Sequence, residues 1–299
     1  MSKEFDVSAS TPRQRGRLRD WQRATRTHEC VKIEVPDHKL DLGIAVPSIH
    51  FRGPSLNVDH RVWPTRRRVD GCGVAQITFK VPALTAAPGT RGAVSGDLST
   101  VAGAGSVAEE VNRLGRFHAV IHNAGIGYRQ PRRVETEPGV PSVFAVNVLA
   151  PYVLTALIQR PDRLIYLSSG MHHGVQPRMD DLLWTKRSWE GASAYAESKL
   201  CDVLLAFAVA RRWRNVLSNA LEPGWVPTKM GGPSAPGDMS KAHLTQAWLA
   251  VSDDPLARSS GCYFYHQQLR EPNPIARDVR VHEALLSECA RISGVALPE

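Results

Sequence analysis

Residues 163–170 read RLIYLSSG, and residues 193–213 read SAYAESKLCDVLLAFAVARRW. The first is an apolar run of strand length that ends in two serines. The second repeats apolar residues at helical spacing and finishes in a cationic turn. A strand buried on both faces and followed by a long helix is the unit of a parallel sheet covered by helices. Within that helix Tyr195 and Lys199 stand at i and i+4, on one face. An ammonium beside a phenol favours the phenolate and lowers a pKa that is otherwise about 10. A tyrosine so placed can pass a proton to or from a hydroxyl or carbonyl oxygen near neutral pH. The same spacing also arises from a solvated lysine beside a half-buried tyrosine, so the surrounding sequence decides.

Outward from this pair, strands and helices alternate from about residue 90 to the end. GAVSGDLS (92–99) reads as a short strand ending in a turn, and VAEEVNRLG (107–115) as a helix with a glycine stop. FHAVIHNAG (117–125) reads as an apolar strand closed by an Asn-Ala-Gly turn, and VLSNALEPG (216–224) as another strand. VFAVNVLAPYVLTALIQ (143–159) is a long apolar helix in which Pro151 predicts a kink. SKAHLTQAWLAVS (240–252) predicts a helix, and GCYFYHQQ (261–268) a final strand. The pattern predicts a doubly wound α/β domain over residues 86–299, with ligands bound beyond the carboxyl ends of its strands.

Residues 1–85 differ. They are rich in Arg, Pro and His and have poor periodicity, although VKIEVP (31–36) and VAQITFKVP (74–82) could each form a strand. Of the net charge of +8, about +5 falls within residues 1–70, with the clusters RQRGRLR and TRRR. Without a reading helix, a zinc site or an aromatic-studded strand, this charge predicts a solvated basic segment rather than a nucleic-acid surface. Hydrophobic residues at 42% and charged residues at 22% are ordinary for a globular chain. No run approaches the roughly 18 apolar residues of a membrane span, and MSKEFDVSAS lacks the apolar core of a secretory signal. Five scattered cysteines predict neither a disulfide framework nor a metal site, and a cytoplasmic setting is expected.

Several motifs in order make residues 92–299 resemble the short-chain dehydrogenase/reductase family. HNAG (122–125) is similar to the family's Asn-Asn-Ala-Gly turn. Asn147 falls at the family's helix-four asparagine, Ser169 closes the central strand, and Tyr195 and Lys199 complete a tetrad. EPGWVPT (222–228) resembles the Pro-Gly-x-Val-x-Thr segment that meets the nicotinamide. The insert between Ser169 and Tyr195, which contains DLLW, looks most like the branch of retinol dehydrogenase-like proteins and related carbonyl reductases. The resemblance implies a Rossmann-like sheet, NAD or NADP as cofactor, and a small carbonyl or alcohol substrate. It also implies a set of roles. Ser169 would orient the substrate oxygen, Tyr195 would be the proton donor or base, and Lys199 would tune Tyr195 and bond the nicotinamide ribose. Asn147 would hold a water leading to solvent. Asp97 would meet the adenine, or alternatively cap the following helix. Asn123, Ala124 and Gly125 would form a turn that admits the cofactor ribose. Pro223, Gly224, Val226 and Thr228 would approach the carboxamide and diphosphate. Ser168, by strand alternation, should face away from the site. His172 and His173 are neighbours with no third ligand, and no metal is expected. Trp184, Trp189 and Trp225 would line an apolar substrate pocket or belong to the core. Family members often pair through the helices carrying Asn147 and Tyr195, which suggests a homo-oligomer.

The opening of the pattern is different. The family begins with a strand, a Thr-Gly-x-x-x-Gly-x-Gly loop and a helix, whose glycines and N-terminus receive the pyrophosphate. The nearest stretch here is VWPTRRRVDGCGVAQ (62–76), with Arg66 in place of a glycine. About 22 residues separate Gly73 from Gly96, too few for a helix and two strands. Either the first third derives from a frame change, a mis-set start or a fusion, or residues 30–85 supply substitute strands and a weaker cradle. The function predicted is hydride transfer between NAD(P) and a carbonyl/alcohol pair. The alternative is a catalytically silent Rossmann-like binding or interaction protein with impaired cofactor binding.

Overall fold

The computed structural model describes residues 30–34, 74–80, 94–137 and 139–299. Seven strands form one sheet in the order β1-β2-β3-β6-β7-β8-β9. They are β1 (Cys30–Glu34), β2 (Val74–Lys80), β3 (Ala119–His122), β6 (Arg163–Leu167), β7 (Leu217–Glu222), β8 (Tyr263–Tyr265) and β9 (Gln268–Leu269). The inner strands β2, β3, β6, β7 and β8 run parallel, and β1 and β9 are antiparallel edges. A separate two-stranded ribbon pairs β4 (Glu135–Glu137) with β5 (Val140–Pro141).

The helices are α1 (Val101–Arg113), α2 (Ser142–Phe144), α3 (Ala150–Leu157), α4 (Gly191–Arg212), α5 (Leu244–Val251) and α6 (Val279–Ser293). Successive side chains of a strand point to opposite faces, and the central strands are apolar on both. Val120, Leu164, Tyr166 and Ala220 join the core shared with α1, α3, α4 and α6. Ala119, Ile121, Ile165, Leu167, Leu221 and Phe264 join the core that holds Trp248 and Leu249 of α5. The chain therefore folds as the expected Rossmann-like α/β sheet covered on both faces.

Three details depart from the sequence reading. Residues 94–97 are irregular, so the strand expected over 92–99 is not seen in its described part. The expected final strand turns back on itself at His266 and Gln267, both at positive φ (49° and 62°), and continues as β9. Helix α6 closes the chain, capped at its start by Asp278. Both strands foreseen within residues 1–85 form and enter the sheet, β2 parallel to β3 and β1 antiparallel to β2. The glycines weighed for a phosphate loop, Gly71 and Gly73, lie outside the described residues.

Candidate active site

The carboxyl ends of β3, β6 and β7 open toward one end of the sheet, and most of the singled-out residues stand there. Asn147 lies in a π-helical stretch, Ala145–Leu149, between α2 and α3. Pro151 has no N–H to give the Asn147 carbonyl four residues earlier, so a regular α-helical turn is interrupted at this point. The predicted kink is thus a widened turn. The Asn147 side chain is fully buried, at 0% exposure. Its Oδ1 accepts from Ile126 N (2.8 Å), and its Nδ2 donates to Ile126 O (3.1 Å) and Ser198 Oγ (2.9 Å). Ser198 in turn donates to the Tyr195 carbonyl (2.7 Å). One amide therefore ties the turn after β3 to helix α4.

Tyr195 and Lys199 are 6% and 5% exposed. The Lys199 ammonium lies 6.0 Å from the centre of the Tyr195 ring. It donates to Leu167 O at the end of β6 (2.8 Å) and to Asp202 Oδ2 (2.7 Å). Burial opposes the charge on Lys199, but Asp202 and then Tyr195 outweigh it and hold its pKa above the ordinary lysine value. Burial also dominates at Asp202, whose carboxyl is pushed up to about 6 despite the neighbouring ammonium. Gly125 completes the group. A Cβ there would rest 3.5 Å from both Asn147 Oδ1 and Lys199 Nζ. Asn147, Gly125, Lys199 and Tyr195 thus come together.

The two serines separate as strand alternation requires. Ser168 is buried and donates to the Lys199 carbonyl (2.7 Å). Ser169 is only partly buried, at the start of a 3-10 turn, Gly170–Gly174, where its Oγ accepts a long bond from Met171 N (3.4 Å). That weak cap leaves the Ser169 hydroxyl proton free to be donated elsewhere.

The other predicted residues lie in the segments before α1, after β3 and after β7. Asp97 does not cap α1: Thr100 does so by accepting from Gly103 N (3.0 Å), and Asp97 instead accepts from Ser99 N (2.8 Å). Asn123 and Gly125 are half-buried, and Ala124 is buried, in the turn after β3. After β7, Pro223 leads into Gly224 at φ 84°, a backbone conformation that would strain a residue with a side chain. The Val226 carbonyl accepts from Thr228 N (2.8 Å), and Thr228 Oγ1 accepts from Gly231 N (3.0 Å). The Val226 carbonyl is therefore engaged within its own loop.

The insert between Ser169 and Tyr195 is held by a buried ion cluster. Arg187 forks onto both Glu197 oxygens (2.7 and 2.6 Å), approaches Asp181 Oδ2 (3.2 Å) and stacks on Trp184 (3.6 Å). Trp184 meets Trp189 edge to face, and Trp225 stands 56% exposed on the rim. His172 has both ring nitrogens committed, Nδ1 to Ser169 O (2.7 Å) and Nε2 to Asn273 N (3.2 Å). Burial pushes its pKa down to about 4. Asp202, Ser198 and Arg187 were not singled out from the sequence. A charged residue on a helix buried along nearly its whole length is the signal that points to Asp202.

No family model matches the chain. An uncharacterized oxidoreductase of Emericella nidulans is 41% identical over 220 residues, covering 72% of this chain and 84% of that protein. A short-chain dehydrogenase of Gibberella zeae is 37% identical over 218 residues, covering 72% of this chain and 83% of that protein. Among solved structures, an uncharacterized protein from Mycobacterium paratuberculosis superposes with a TM-score of 0.57 at 22% identity. It covers 68% of this chain and 75% of that one, a likeness of fold.

Proposed function

The chain belongs to the short-chain dehydrogenase/reductase family of oxidoreductases, and we propose that it moves a hydride between NAD(P) and a carbonyl/alcohol substrate through Asn147, Ser169, Tyr195 and Lys199. The observation that carries this reading is the meeting of Lys199, Tyr195 and Asn147 beside Gly125. The missing Cβ at Gly125 leaves a shallow cradle bordered by an ammonium and an amide, which fits a ribose hydroxyl. Gly125, Lys199 and the loop from Pro223 to Thr228 would hold the cofactor on that side, with Asp97, Asn123 and Ala124 at its edge. A bound nicotinamide supplies or accepts the hydride. Ser169 donates a hydrogen bond to the substrate oxygen. Tyr195 passes its phenolic proton to that oxygen in reduction and takes it back in oxidation. Lys199 supplies positive charge beneath the Tyr195 ring, and Asn147 fixes the turn at Ile126 against α4.

The experiment is a titration with NADPH and NADH, read as a thermal shift, since a ligand that binds only the folded state raises the melting temperature. Binding should be followed by carbonyl-dependent loss of absorbance at the nicotinamide band. Tyr195→Phe should remove turnover, by about 10³-fold or more, and leave the cofactor-induced shift in place. Full activity in that variant refutes the proton path. A second reading, a catalytically silent binding protein, draws on one observation: two of the three Lys199 protons are already given to Asp202 and Leu167. The absence of a thermal shift at millimolar NADPH and NADH would support it.

A further inference from the structure

Two loops meet at the rim above Tyr195. One, residues 126–132, leaves β3 and reads IGYRQPR; the other, residues 223–232, leaves β7 and reads PGWVPTKMGG. Their contact is close. A Cβ on Gly127 would fall 2.6 Å from Met230 Cγ, and one on Gly232 would fall 3.1 Å from the Arg129 guanidinium. Between them the aromatic rings form a path outward from the proposed proton donor. The Tyr128 ring meets the Tyr195 ring at 5.8 Å and 61°, and the Arg129 guanidinium stands 5.5 Å from the centre of Tyr128.

The charges on this path are of one sign. The loops carry Arg129, Arg132 and Lys229 and contain no Asp or Glu. Other arginines near the site are committed: Arg187 to Glu197, Arg270 to Glu222 and Arg133 to Glu135. Arg129 is exposed, and among the described residues it has a ring contact but no acidic partner. A guanidinium held over an aromatic face keeps its fork of N–H donors available, and that fork matches a carboxylate. Tyr128 gives a planar substrate a surface to lie against between the fork and Tyr195.

We propose that Arg129 anchors a carboxylate of the substrate, so that the carbonyl compound is an organic acid whose acid group and reacting oxygen lie about one aromatic ring apart. This rests on the oxidoreductase reading above and names its substrate class. Arg129 is then a specificity-determining residue that touches the substrate away from the reacting atoms.

The probes are 4-acetylbenzoate, which sets a ketone and a carboxylate across one ring, and its neutral methyl ester. Binding of each is measured by calorimetry at low salt, with and without saturating NADPH, on the full chain and on Arg129→Gln and Arg129→Lys. The residue is on the surface, so these variants should fold. The wild type should bind the acid about 10-fold or more tightly than the ester, the order expected for one charge-assisted pair. Arg129→Gln should reduce that preference to about 2-fold or less without changing ester affinity, and Arg129→Lys should keep part of it. Equal binding of acid and ester by the wild type, or a preference that survives in Arg129→Gln, overturns the proposal. Weaker NADPH binding by Arg129→Gln would assign the guanidinium to a cofactor phosphate and overturn it as well. The binding arms report on Arg129 alone. Loss of NADPH absorbance with the ketones reports on the oxidoreductase reading, so the two can fail separately.

Discussion

Removing the carboxylate of Asp202 is the sharpest test of how the centre of this protein is built. Lys199 and Asp202 are 5% and 2% exposed, 2.7 Å apart, and joined by a direct hydrogen bond. Asp202→Ala leaves a buried ammonium with only the Leu167 carbonyl for company. Breaking one side of a buried pair costs about 3–5 kcal/mol, whereas replacing both sides with apolar residues of similar volume costs little. Urea denaturation at neutral pH should therefore show Asp202→Ala destabilised by about 3–5 kcal/mol and Lys199→Met with Asp202→Leu nearly as stable as the wild type. Asp202→Asn keeps the shape and an acceptor for Lys199, and should fall between. It also isolates the titration. The folded-state pKa of Asp202 is raised from 3.8 to about 6. The share of stability that comes from this titration, separate from the pairing with Lys199, is thus fully present below about 3.8 and lost as pH rises through about 6. The advantage of the wild type over Asp202→Asn should shrink from pH 4 to pH 7. A loss under about 1 kcal/mol for Asp202→Ala, or a double variant as unstable as the two single losses combined, would show that the pair is not the buried, coupled unit described.

Two further outcomes follow from the surroundings of the site. His172 is buried, and its pKa is lowered from 6.5 to about 4. The stability it contributes is present above about 6.5 and lost as pH falls toward 4. Comparing the pH dependence of melting in the wild type and in His172→Asn should reveal a term on the order of 3 kcal/mol; parallel curves would refute it. Gly191, at the start of α4, leaves room for only a hydrogen, because a Cβ would run into the Gln130 carbonyl. Gly191→Ala should cost about 1–3 kcal/mol in denaturant unfolding, and an unchanged midpoint would refute the close packing of Gly191 against the Gln130 carbonyl.

The parallel core was legible because β3 and β6 are short apolar runs of the kind that strands buried on both faces favour; β7 was less plain, since it buries Ser218, Asn219 and Glu222 among its apolar residues. Tyr195 and Lys199 stood out in the sequence because i and i+4 share one helix face, and Asn147 because it falls in the order of motifs of the resemblance; the structure brings the three side chains together. The orientation of β1 was not, since a short strand of mixed character pairs equally well in either direction until its neighbours are placed. Helix α6 was missed although its signals are present: Asp278 caps the first turn, Leu285, Leu286 and Cys289 share a buried face, and Gly294 ends it at φ 69°. From the sequence Asp97 reads as an adenine contact or a cap for α1; the cap is Thr100, which that reading does not weigh. Partnership between Lys199 and Asp202 was obscured because i,i+3 charges on a helix are usually solvated neighbours. Here the tight cover from β6, β7 and α6 turns the same spacing into an interior pair.

The widened turn at Ala145–Leu149 constrains the chain's tolerance for change in length. Each residue of an α-helix advances the side-chain direction by about 100°. Within the wide turn Asn147 is set over Ile126; beyond it, Tyr152, Val153 and Leu154 fall in the core. Only the added residue reconciles the two phases. Gaining or losing one position in this stretch would leave either the amide or the apolar face misdirected, even with every other side chain conserved. Insertions are therefore better borne on the outer loops than in this short coil of helix.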